Sequence, residues 1–69
     1  METDRDPLSP RLVDVLHLIA DGRTTDEIAR ILELSPHTVK NYVERILDRL
    51  NARDRVQAVA IALRQGILN

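Results

Sequence analysis

Residues 35–51 read SPHTVKNYVERILDRLN, and the fold follows from how this stretch divides its residues between two faces. Ser35 can accept a hydrogen bond from a free amide of the next turn, and Pro36 suits the first helical position because it has no N–H to leave unpaired. A helix over 36–50 is therefore predicted. Within it Val39, Tyr42, Val43, Ile46, Leu47 and Leu50 recur at steps of three and four, one stripe of a helix with a period of about 3.6 residues. The other face carries His37, Lys40, Asn41, Glu44, Arg45, Asp48 and Arg49. Their donors and acceptors are of the kind that reads base edges in a DNA major groove. Asn51, which tolerates the left-handed conformation, stands where glycine is the commoner helix stop.

Working outward, the residues before this helix repeat its grammar. Thr24 and Glu27 have the spacing of a capping box, which predicts a short helix over about 25–32 with Ile28, Ala29, Ile31 and Leu32 as its apolar residues. Only Glu33-Leu34-Ser35 separates it from the next helix, too little chain for the two to lie antiparallel. A steep crossing follows, the geometry of a helix-turn-helix. Further upstream Ser9 caps and Pro10 opens a first helix over about 10–21, with Leu12, Val15, Leu16, Ile19 and Ala20 as its stripe and Gly22 at its stop. Downstream, Asp54 and Gln57 repeat the capping-box spacing ahead of a fourth helix, about 55–65. Its larger apolar residues, Val56, Val59 and Leu63, together with Ala60, are expected to face the core. That leaves Ala58, Ala62 and Gln65 as a small-residue strip for close approach of a second copy. No stretch alternates with period two, so the expectation is an all-α domain of four helices over residues 8–69, preceded by a disordered lead or linker at 1–7.

Sixty-nine residues form one domain with a thin core, since a chain this short buries only about 60% of its unfolded surface. Cysteine is absent, which removes disulfides and thiolate metal sites and fits a reducing cytoplasm. No apolar run approaches the roughly 18 residues of a membrane span, and no signal-peptide pattern opens the chain. The net charge of −1 is unevenly spread. Residues 1–33 hold four basic and eight acidic side chains, a balance of −4, whereas residues 34–69 hold six basic and three acidic, a balance of +3. Positive charge thus accompanies the helix at 36–50, where a phosphate-facing surface needs it. Tyr42 is the one aromatic, too few for a stacking platform, so duplex DNA is a better partner than single strands.

From Leu8 to about Leu68 the sequence resembles the C-terminal DNA-binding domain of the LuxR/FixJ/NarL family of bacterial transcription regulators. LSPR at 8–11, VLHLIADG at 15–22, EIAR at 27–30, LSPHTVKNYV at 34–43 and RVQAVAIAL at 55–63 carry the likeness. The resemblance implies sequence-specific binding of pseudo-palindromic promoter DNA as a homodimer joined through the fourth helix, with RNA polymerase as a further candidate partner. Relatives usually carry a receiver domain, as response regulators of two-component systems do, or a ligand-sensing domain upstream; a stand-alone regulator and a fragment are both compatible with these residues. Carried over by position, Thr38 and Lys40 match DNA-contacting residues, Val39 the buried anchor and Arg49 a backbone contact, while Thr25 stands where an asparagine near the phosphates is usual. The chain departs from the pattern in four respects. Leu12 replaces a usual glutamate, so packing substitutes for an ion pair. Glu33 and Asn51 replace glycines, and a positive φ at Glu33 implies strain. Tyr42 stands in place of a common histidine. Glu44 lies where many relatives have a small, polar or basic residue, so no relative's operator can be transferred.

The candidate DNA-contacting set is therefore Thr25, Ser35, His37, Thr38, Lys40, Asn41, Glu44, Arg45 and Arg49. Lys40 can meet a guanine edge or a phosphate, or pair with Glu44 one turn on. Asn41 has the donor and acceptor to read adenine, and Glu44 can accept from cytosine N4 or steady Lys40. Arg45, Arg49, Arg53 and Arg55 form an electrostatic footprint. Ser9 and Ser35 lack a histidine-acid partner pattern and read as caps rather than nucleophiles; no metal-ligand spacing, cofactor motif or catalytic constellation is found. Two other readings stay open: a helical interaction module docking a partner through Leu12, Val13 and the fourth helix, and a promoter-reading domain like that of a sigma factor, against which the RVQAV block speaks.

Overall fold

The computed structural model describes residues 8–68; the expected lead at 1–7 lies outside them. Four helices follow one another, α1 (Pro10–Ala20), α2 (Thr25–Leu32), α3 (Pro36–Leu50) and α4 (Arg55–Arg64), and among the described residues all regular secondary structure is helical. α3 packs against each of the other three, and α1 also meets α2 and α4, but α2 and α4 do not pack on one another. The centre of the molecule is thus where one side of α3 meets α1. Val39, Val43, Ile46 and Leu50 are buried there with Leu12, Val15, Leu16 and Ile19 of α1 and Ile28 and Ala29 of α2. Tyr42 and Leu47, read as stripe members, are only half-buried at its edges. Leu12 is a core residue, 3% exposed, and so is not available to a docking partner.

Local chemistry sets every helix boundary. At each start a side-chain oxygen accepts the amide three residues on: Ser9 from Leu12, Thr24 from Glu27, Ser35 from Thr38 and Asp54 from Gln57. These bonds satisfy donors that the first turn of a helix leaves unpaired. Thr24 and Glu27 complete the reciprocal box, the Glu27 carboxylate accepting the Thr24 amide at 2.9 Å. At Asp54 the box is displaced by one residue, because the Gln57 side chain accepts from the amide of Arg53 instead.

The four helices also stop alike. Gly22, Glu33, Asn51 and Gly66 have φ of 84°, 58°, 56° and 77°, and the amide after each reaches back to a carbonyl five residues earlier: Arg23 to Leu18, Leu34 to Ala29, Ala52 to Leu47 and Ile67 to Ala62. This is the Schellman arrangement, in which one left-handed residue turns the chain and pairs otherwise orphaned carbonyls. Asparagine accepts that conformation at small cost; glutamate does not, since its Cβ crowds the backbone. The strain foreseen for Glu33 is present.

The fourth helix is rotated relative to the sequence expectation. Ala58 and Ala62 are fully buried, whereas Val56 is 77% and Leu63 51% exposed. Neither alanine is therefore open to a second copy; of the expected strip only Gln65, just past the helix end, is exposed. The reason is steric. A helix that lays alanines toward α1 and α3 can approach them closely, and the small residues fill the limited space left in the shared core.

Replacing the strained residue tests this account. Glu33→Gly should stabilise the domain by about 1 kcal/mol, a rise in Tm of roughly 4–8 °C for a chain of this size, as followed by thermal circular dichroism. An unchanged or lower Tm would show that the left-handed turn costs Glu33 nothing.

Candidate nucleic-acid interface

Burial of the Val39–Leu50 stripe decides what α3 presents to solvent. With about 100° of rotation per residue, Asn41 and Asp48 point away from the stripe, His37 and Glu44 lie on one side of them and Arg45 on the other. Lys40 and Arg49 stand at opposite margins. All seven are exposed, so none of the four described helices packs over this face. The helix rise carries His37, Asn41 and Glu44 along about 10 Å, comparable with a major groove about 12 Å wide.

Some of these side chains are engaged and others are not. The Arg45 guanidinium sits 5.8 Å from the centre of the Tyr42 ring, a cation–π contact that draws it toward the Arg49 margin. Among the described residues, the side chains of Lys40, Asn41 and Glu44 make no hydrogen bond or ion pair. The Lys40–Glu44 pairing considered from their spacing is therefore not formed. At the start of α3, Ser35 Oγ both accepts from the Thr38 amide at 3.1 Å and donates to Thr38 Oγ1 at 2.9 Å. Thr38, half-buried, keeps its own hydroxyl proton for another acceptor, beside the partial positive charge of the helix end. His37 is exposed at the second helical position.

Thr25 is drawn into a contact that its sequence neighbourhood does not announce. Arg55 Nη2, on the first residue of α4, donates to Thr25 Oγ1 at 3.4 Å, joining two helices that otherwise do not pack on one another. Arg55 is half-buried and lines a shallow apolar groove with Ile19, Ala20, Val56 and Val59. Its charged head is thereby brought to the corner where α2 begins. No pattern in the sequence connects positions 25 and 55, thirty residues apart. Arg53, by contrast, is largely exposed and lies 3.9 Å from the Asp54 carboxylate, a surface pair of small energetic weight.

Known proteins place these features in context. The family model described as "Bacterial regulatory proteins, luxR family" matches residues 6–62. The chain is 38% identical over 64 residues to the transcriptional regulatory protein DesR of Bacillus subtilis, covering 93% of this chain and 32% of that protein. It is 44% identical over 62 residues to the quorum sensing-dependent transcriptional regulator VjbR of Brucella abortus, covering 90% of this chain and 24% of that protein. The chain thus spans between a quarter and a third of the length of these relatives. Among solved structures, the transcription factor GerE superposes with a TM-score of 0.88 at 29% identity, over 94% of this chain and 97% of that one.

The cross-helix bond yields a measurable coupling. A double-mutant cycle on Arg55→Ala and Thr25→Ala, read by urea unfolding, should give a coupling of about 0.5–1 kcal/mol. Strictly additive losses would mean that the pair is adjacent without being joined.

Proposed function

The chain belongs to the luxR family of bacterial regulatory proteins, and on that premise we propose that it binds specific duplex DNA sequences, with α3 in the major groove. The observation that carries this reading is the exposed face of α3, where Asn41 stands without a side-chain partner between cationic margins formed by Lys40 and Arg49. A recognition helix needs such a surface: hydrogen-bonding groups at its centre for base edges and cations at its rims for phosphates. Lys40 serves a guanine edge or a phosphate, Asn41 an adenine edge, and Arg45 and Arg49 the backbone. Thr38, Ser35 and His37 lie at the helix start, where amides and hydroxyls meet phosphate oxygens. Thr25, held by Arg55, does the same from α2. Neutralising phosphates releases counterions, so binding weakens steeply with salt.

Two-fold association through α4 belongs to the same proposal, with a different contact from the alanine strip. Val56, Ala60 and Leu63 fall at i, i+4 and i+7, one stripe of the helix, and Val56 and Leu63 are exposed. A second copy presenting the same stripe would cover both in an isologous contact, setting two recognition helices on a pseudo-palindromic site.

The tests separate base reading from backbone binding. Lys40→Ala and Asn41→Ala should each cost roughly 1–3 kcal/mol on a selected site and much less on random duplex, whereas Arg49→Ala should weaken all sequences alike and lower the salt slope by about one. Equal losses on both duplexes for Lys40→Ala and Asn41→Ala would refute base reading. For the dimer, Leu63→Glu should leave the fold intact and bind a single half-site as the wild type does, but lose affinity for the two-half-site duplex. Unchanged binding to the paired site would place the subunit contact elsewhere.

A further inference from the structure

We infer that Glu44 is a specificity determinant that selects a cytosine in each half-site by accepting a hydrogen bond from its N4 amine; this rests on the DNA-binding reading above and adds to it the base demanded. The starting point is an electrostatic oddity. An exposed carboxylate on a surface meant for a polyanion is unfavourable, and among the described residues no hydrogen bond or ion pair relieves it. Lys40 lies one turn before Glu44 on the helix and does not pair with it, Asp48 one turn after is a like charge, and neighbouring Arg45 is turned onto the Tyr42 ring. The carboxylate is left to find its partner outside the protein.

Position on the helix narrows what that partner is. Glu44 lies between Asn41, at the middle of the face, and Lys40, at its margin, so within a groove it stands over base edges rather than against the phosphate wall. An ionised carboxylate only accepts hydrogen bonds. Guanine offers N7 and O6 and thymine O4, all acceptors that repel it, while cytosine N4 and adenine N6 are the amines exposed there. Adenine sets the N7 lone pair beside its amine on the same base, whereas cytosine has only a C–H next to N4. Cytosine is the base that satisfies Glu44 without a second repulsion. The same charge also lowers affinity for sequences lacking an amine at that place, so one residue both rewards the correct site and penalises wrong ones.

The experiment selects duplexes from a random pool with the wild type, Glu44→Ala and Glu44→Gln at moderate salt, followed by affinity measurements on the selected sites. All three proteins should show the same thermal unfolding, because the side chain is exposed and unbonded. The wild type should require a C·G pair at one position of each half-site, and exchanging that pair should cost it about tenfold or more, but Glu44→Ala less than twofold. Glu44→Ala should bind random duplex more tightly than the wild type, and Glu44→Gln should shift the preference at that position toward adenine, whose N6/N7 edge suits an amide. Selection of the same half-site by all three proteins, with equal penalties for the exchanged pair, would overturn the assignment while leaving DNA binding intact. A uniform loss for Glu44→Ala on every duplex would overturn it too. A wild type that enriches no sequence would sink the DNA-binding reading and this inference together.

Discussion

Burial of one side of α3 is the constraint on which the domain depends. Val39 and Ile46 are completely enclosed, and Val43 and Leu50 nearly so. α3 packs against all three other helices, with α1 as its main partner across the core. Because side chains on a helix are fixed in rotation relative to one another, placing these four residues in the core also fixes which residues look outward. The outward face is therefore a consequence of packing and needs no separate interaction to hold it open. A substitution that weakens the buried stripe would loosen the outward face as well, through the rotation of the helix rather than through any contact with DNA.

A core this thin leaves much to the chain's local instructions. Each helix begins with a side-chain cap and ends on a left-handed residue, and each such device supplies a fraction of a kcal/mol to about 2 kcal/mol. Summed over eight helix ends they matter in a domain whose net stability is only a few kcal/mol. The two left-handed positions that are not glycine, Glu33 and Asn51, close α2 and α3, the two helices of the helix-turn-helix. Leu34, half-buried against the core, follows Glu33 and anchors the turn between α2 and α3. The turn thus trades backbone strain for a fixed angle between α2, whose Thr25 is proposed to meet phosphates, and α3, proposed to enter the groove.

The helix boundaries were legible because caps and stops are local chemistry, readable within four or five residues. The faces of α1, α2 and α3 were legible in outline because their apolar residues are interrupted by charges at regular steps, although Ala20 and Ile31, counted among those apolar residues, are exposed at the ends of α1 and α2. α4 was misread for the opposite reason. Between Val56 and Leu63 only Gln57 is polar, so almost any stripe can be drawn, and ranking by size favours Val56 and Leu63 for the core. Packing distance decided instead: alanines at 58 and 62 allow the helix close to α1 and α3, and the larger residues are left outside. The Arg55–Thr25 bond was illegible because it needs the relative placement of two helices that have no packing contact. The open Lys40–Glu44 spacing shows a further limit, since spacing permits an i, i+4 pair without compelling it.

The charge distribution bears on how such a surface could discriminate. The chain as a whole is slightly acidic, and even the positive half places Glu44 and Asp48 on the exposed face of α3. A face of lysine and arginine alone would bind any duplex through its phosphates, strongly at low salt and with little preference. Interspersed acids lower that indiscriminate attraction, so that a larger share of the binding energy has to come from base edges. For a regulator that must find a few sites among a vast excess of others, the ratio of specific to non-specific affinity matters more than either alone. Weak general attraction combined with unpartnered donors and acceptors at the centre of the helix is an arrangement that raises this ratio, and it follows from the same buried stripe that sets the orientation of α3.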